Sequence, residues 1–139
     1  MRIRLTIAIA AVGIVAAAVP ASWAHHAFAS EFDANKPVKF KAIIAKMEWI
    51  NPHAWMHVDV KKPDGTSERW MIEAGTPNML FRRGVTKETV KPGMEIVVDG
   101  YQAKDGTNKG VGRSLTFADG RKLFLSESAP GTPGELPKR

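Results

Sequence analysis

The chain has 139 residues, with 20 Lys and Arg against 14 Asp and Glu for a formal charge of +6, and it contains no cysteine. The lack of thiols excludes a disulfide framework, a thiolate metal site and a cysteine nucleophile. The basic excess is mild and interspersed, with Lys36, Lys39, Lys41 and Lys46 near Glu31, Asp33 and Glu48, so it reads as solvated surface and no nucleic-acid partner is expected.

The N-terminus reads as an export signal. Arg2 and Arg4 charge the first residues, Leu5 to Val19 is apolar apart from Thr6 and Gly13, and Pro20 ends any helix before Ser22-Trp23-Ala24. The apolar stretch is short for a membrane span, and small residues stand where a signal peptidase reads them. Residues 1–24 are therefore expected to be a Sec-type signal peptide cleaved after Ala24, which places the mature protein in the periplasm or outside the cell. Arg2 and Arg4 are not adjacent, so no twin-arginine signal is indicated, and without cysteine there is no lipid anchor. No membrane partner is expected after cleavage. Removal leaves 115 residues of charge +4, enough for one small domain with one core.

Residues 25–37 are polar, with isolated Phe28 and Phe32, and read as an irregular arm. Residues 38–125 carry the domain. Val38, Phe40, Ala42 and Ile44 alternate with Lys39, Lys41 and Ile43, the pattern of a half-buried strand. Asn51-Pro52 turns the chain into a second strand, whose inward row is Met56, Val58 and Val60 and whose outward row is Trp55, His57 and Asp59. Lys62-Pro63-Asp64-Gly65 is a tight turn, making a hairpin with a third strand over about Ser67 to Glu73, with Trp70 and Ile72 inward. Thr76 caps and Pro77 opens a short helix that Gly84 ends, with Leu80 and Phe81 expected to plug the core. Met94, Ile96 and Val98 mark a fourth strand after Lys91-Pro92-Gly93. A fifth, kinked or split at Asp119-Gly120, covers Val111 to Leu125. The segment 126–139, rich in proline and glycine with Leu136 its one large apolar residue, is expected to be a disordered tail.

Strand, strand, strand, short helix, strand, strand is the layout of a mainly β, five-stranded OB-like barrel. A small open β-sandwich is the alternative that spacing leaves open.

All four histidines, His25, His26, His53 and His57, lie within 33 residues. Neutral imidazole is the commonest protein metal ligand and suits copper, zinc and nickel. Cleavage after Ala24 would also free the α-amine of His25, whose pKa of about 8 lets it deprotonate and bind at modest cost. Amine and imidazole from one residue chelate together, an arrangement that resembles the N-terminal histidine brace of copper oxygenases and some copper carriers. His53 and His57 share a strand face by parity but stand roughly 13 Å apart along an extended strand. The expected metal set is thus His25, His26 and one of His53 or His57, with copper the expected cofactor if there is one; Met56 points inward. The competing explanation is a flexible His-His start and a His53 that braces its turn.

Trp49, Trp55 and Arg82 support a second reading, a barrel face that stacks and grips an extended glycan or peptide. A third is an accessory subunit docking by a strand edge onto an envelope complex, its protein partner unspecified. Glu31, Asp33, Glu48 and Glu73 show no spacing that marks an acid–base pair, and the glycines sit in turns, so a binding protein is expected rather than an enzyme.

The strings His25-His26-Ala27-Phe28, Glu31-Phe32-Asp33, Lys36-Pro37-Val38, Glu48-Trp49-Ile50-Asn51-Pro52-His53, Pro77 to Gly84 and Lys91-Pro92-Gly93 together resemble a family of small exported bacterial proteins classed as a domain of unknown function. The resemblance covers the mature chain short of its tail. It implies export and a small β-rich domain, and supplies no activity.

Overall fold

The computed structural model of the chain describes residues 22–132, with side chains from Ala27 onward. The expected signal residues 1–21 and the last residues of the expected tail, 133–139, lie outside the described residues. The described residues are mainly β, with six strands in one sheet and two short helices. In chain order these are α1 (Ser22–Glu31), β1 (Phe32–Glu48), β2 (Trp55–Lys61), β3 (Ser67–Glu73), α2 (Pro77–Arg82), β4 (Glu95–Ala103), β5 (Lys109–Phe117) and β6 (Lys122–Phe124). No helix among the described residues is long and apolar enough to cross a membrane.

β1 organises the sheet because it is long enough to serve two partners. Its first part pairs antiparallel with β4, from Pro37↔Tyr101 to Ile43↔Glu95, and its end pairs with β2, from Ile43↔Asp59 to Glu48↔Trp55. The register slips between Ile44 and Lys46, where the strand passes from one neighbour to the other. Such an irregularity bends a strand and raises its twist. β2 and β3 form the hairpin expected from the Lys62–Gly65 turn, with Gly65 at φ 85°, and β5 joins β4 and β6. The end of β3 also pairs parallel with the start of β5, Met71↔Lys109 to Glu73↔Val111. Hydrogen bonding therefore runs β1, β2, β3, β5, β4 and back to β1.

The alternating residues do what their period requires. Ala42 and Ile44 of β1, Met56 and Val58 of β2, Trp70 and Ile72 of β3, Ile96 and Val98 of β4 and Leu115 of β5 are buried together, and Phe40 packs on Trp70 with ring centroids 5.0 Å apart. Burying each of the larger side chains stabilises the fold by about 1.5–3 kcal/mol relative to exposure. α2 closes this core. The Thr76 hydroxyl accepts from the Met79 N–H at 3.2 Å, Pro77 takes the first turn, and Gly84 follows at φ 85°. Leu80 is fully buried as expected, but Phe81 is 44% exposed and Met79 fills the second core position. In a helix the residues three and four apart share a face, so of three neighbours only one or two can point inward; here Phe81 lies outside and stacks on Trp49 at 5.3 Å.

Two segments expected to be irregular are folded. Residues 25–37 are the rest of α1 and the start of β1. Phe28 and Phe32 are buried with Ala103, Val111 and Ala129 in a second cluster, where Phe28 meets the Tyr101 ring edge-on at 5.6 Å. After β6 the chain does not leave the body at Ser126: Ser126, Ala129 and Thr132 are buried, and the Ser126 hydroxyl accepts from the N–H groups of Ser128 and Ala129. The fifth expected strand is split at Asp119-Gly120 into β5 and β6.

Candidate functional site

β3 ends on an unusual residue. By the alternation that buries Trp70 and Ile72, Glu73 points to the outer face of the sheet, yet it is only 9% exposed. Other parts of the chain cover it. The hairpin register sets Trp55 opposite Glu73, and the pairing continues past β2, with the Ala54 N–H donating to the Gly75 carbonyl and the Ala74 N–H donating to the Ala54 carbonyl. His53 is thereby carried two residues beyond Trp55 on the same face, diagonal to Glu73, within reach for a cross-strand contact. Its Nδ1 makes a short hydrogen bond to Glu73 Oε1. Among the described residues the other carboxylate oxygen, Oε2, is buried with no hydrogen-bond partner.

This pair lies in a cleft of about 120 Å³ that five parts of the chain enclose: Ala27 of α1, His53, the Glu73–Thr76 run before α2, Val111 of β5 and the Ser126–Ser128 turn. Burial pushes the Glu73 carboxyl above its ordinary value, and the neighbouring charge of Glu31 adds to the rise, while His53 and Lys109 pull the other way. A carboxylate in this position is a strong acceptor short of one partner.

α1 is held over the cleft from several directions. Phe28 is its apolar anchor. The Lys104 backbone N–H donates to the Glu31 carbonyl at 2.9 Å and the Lys104 ammonium to the Ala29 carbonyl. Lys109 pairs with the Glu31 carboxylate while its Nζ lies 5.2 Å from the centroid of the Trp55 ring.

The four histidines thus fall into three places. His53 is in the cleft. His57 stays on the face of β2, its Nε2 3.0 Å from Glu48 Oε2, with Lys46 2.8 Å from the other oxygen of the same carboxylate. That carboxyl is held below its ordinary value, chiefly by the Lys46 hydrogen bond and then by the one from His57. His25 and His26 are in α1, two and one positions ahead of Ala27; their side chains lie outside the described residues. Among the described residues no group of three or more His, Cys, Asp or Glu side chains converges as a metal site. Met56 is fully buried, as parity requires.

Trp49, Trp55 and Arg82 have different surroundings. Trp49 stacks on Phe81 of α2, Trp55 carries Lys109 over its ring, and Arg82 is exposed at the end of α2. Among the described residues no ring contact joins the two tryptophans. The neighbouring Arg83 is committed to structure, donating to the Ser126 carbonyl at 3.0 Å.

The sequence pattern marks His53 but not its partner. Glu73 was legible in principle: counting back from the Lys62–Gly65 turn sets Trp55 against Glu73 and puts His53 on the diagonal. The cover supplied by α1 and the Ser126–Ser128 turn leaves no such trace, because those segments lack strand or helix periodicity.

The family model described as "Family of unknown function (DUF6152)" matches residues 11–113. The match spans most of the chain, which therefore belongs to that family. No curated protein and no solved structure matches it.

Proposed function

We propose that this member of a family of unknown function is an exported small binding protein holding one divalent metal ion, copper by preference, in the His53–Glu73 cleft. The observation that carries this reading is the buried Glu73 carboxylate hydrogen-bonded to His53 Nδ1 in a cleft lined by Ala27 of α1. A carboxylate on Nδ1 fixes the imidazole tautomer and leaves Nε2 with its lone pair free, the orientation that metal-bound histidines share. Glu73, on the far side of that ring, orients His53 and stays outside the coordination sphere. His26 and His25, on the helix whose Ala27 lines the cleft, supply the remaining imidazoles. The site uses no thiolate, which suits an oxidising compartment.

The order of elements and the closed circuit of strand pairings support an OB-like barrel with the cleft at one end of its β2–β3 face. The signal-like N-terminus supports the periplasm as its place of work. The glycan or peptide reading has less support, because Trp49 and Trp55 each have one ring face already covered. His57 is outside the proposed site, since Glu48 holds its Nε2.

Calorimetric titration of the mature protein, beginning at His25, with Cu(II) tests the proposal. We expect one equivalent bound, a loss of at least 100-fold for His53→Ala, a loss of roughly 10- to 100-fold for Glu73→Gln, and affinity within about threefold of wild type for His57→Ala. Absence of stoichiometric binding, or a His57→Ala loss larger than that of His53→Ala, would overturn it.

A further inference from the structure

We infer that the protein carries a second, separate metal site, for a soft monovalent ion of the Cu(I) type, formed by His57 Nδ1 and the Met71 thioether on the outer face of β2 and β3. The inference goes beyond the Cu(II) reading of the cleft and does not depend on it.

Met71 is the odd member of its row. The outward positions of β3 are Ser67, Arg69, Met71 and Glu73, and Met71 is 38% exposed among these polar neighbours. Met56 and Met79 lie in the core, and Met47 and Met94 pack against it. Among the described residues Met71 is thus the one methionine turned to the surface. The residue directly opposite it on β2 is His57. Side chains so paired start from Cβ atoms about 4.5–5.5 Å apart. Two donors that each hold an ion at roughly 2.0–2.3 Å lie roughly 4 Å from one another across it, so the spacing suits a single ion between imidazole and thioether.

The ring of His57 is set for this role. Glu48 stands at the end of β1, on the other side of β2 from Met71, and its Oε2 is 3.0 Å from His57 Nε2. A carboxylate only accepts, so the neutral ring donates its proton from Nε2 and keeps a lone pair on Nδ1. The two ring nitrogens point in widely different directions. A ring tied towards β1 through Nε2 therefore turns Nδ1 away from β1, and Nδ1 makes no hydrogen bond among the described residues. A carboxylate behind the ring and an open nitrogen in front is the arrangement of metal-bound histidines. Lys46 and Lys109 continue the same row on either side, and each is held by a carboxylate, Glu48 and Glu31. The nearest cations are thereby balanced.

The donor types decide the ion. A thioether is soft and selects Cu(I), whereas Cu(II) takes nitrogen and oxygen in a square arrangement and gains little from Met71. Cu(I) and its redox-inert counterpart Ag(I) accept two donors in line, so the pair is sufficient.

The test uses the mature protein beginning at His25, isotopically labelled at its methionine methyl groups and titrated with Ag(I), with nuclear magnetic resonance reading each methionine separately. The Met71 methyl signal is expected to shift and saturate while those of Met56 and Met79 stay in place. His57→Gln should weaken the Met71 response about tenfold or more, and His53→Ala should leave it unchanged. Met71→Leu, a volume-conserving exchange, should lower the number of Ag(I) ions bound by one. A Met71 signal that does not move at saturation, one that moves as readily in His57→Gln, or an unchanged stoichiometry in Met71→Leu would overturn the inference. None of these results touches the Cu(II) reading, whose titration follows the cleft. Circular dichroism of each variant confirms that a loss of binding is not a loss of fold.

Discussion

At the scale of single residues, Glu73 is where stability and binding are in tension. Burial raises its carboxyl from the ordinary value of 4.5, with the charge of Glu31 adding to the rise. The folded state then holds this proton more tightly than the unfolded chain, and the favourable contribution present at low pH is lost as pH rises through the shifted value. Glu73→Gln removes that loss while keeping the shape. The metal-free variant is therefore expected to melt at or above the wild-type temperature at pH 7, with the difference shrinking as pH falls below 4.5. Thermal melts in chelator across pH 4–8 read this directly, and a variant that is markedly less stable at pH 7 would show the ionised pair to be structural. Gly100 marks a purely structural constraint. A Cβ there would stand 2.0 Å from the Val111 carbonyl oxygen, beside the register slip between Asp99 and Gly100. Backbone cannot yield as a flexible side chain can, so Gly100→Ala is expected to cost several kcal/mol, at or above the usual 1–3 kcal/mol of overpacking, measured by urea denaturation.

Among the elements, α1 is the least legible in the sequence. Its sequence has no apolar stripe, and a ten-residue helix is marginal alone in water; it stands because Phe28 enters a distant cluster built from β4, β5 and the turn after β6. The sheet was far more legible. Val38 to Ile44, Met56 to Val60 and Trp70-Met71-Ile72 each carry an alternation that one buried face imposes, and the hairpin turn fixes their register. The exposed Phe81, the helical arm and the packed Ser126–Thr132 segment were not legible, since tertiary contacts rather than local pattern decide each of them. If Phe28 anchors α1, Phe28→Ala should release it while sparing the sheet. Truncating a buried phenylalanine costs about 3–5 kcal/mol, which corresponds to amide exchange at least 100-fold faster over residues 25–31. Hydrogen exchange of β2 and β3 should be nearly unchanged. Equal acceleration throughout would show instead that α1 is part of one cooperative unit.

At the scale of the whole molecule, the proposed site draws on three features remote in sequence: the N-terminus that cleavage after Ala24 would expose, a histidine just ahead of β2 and a glutamate at the end of β3. The circuit of strand pairings brings the last two together, and the second core cluster holds the helix bearing the first beside them. His57 shows how much the fold decides. It is only four residues from His53, yet the strand face commits it to Glu48, so proximity in sequence is a poor guide to shared ligation. Crystals of the mature protein grown with Cu(II), with anomalous differences recorded at the copper edge, test the central claim most directly. One strong peak is expected in the cleft, about 2.0–2.2 Å from His53 Nε2. A peak at the His57–Glu48 pair, or none in the cleft, would contradict it.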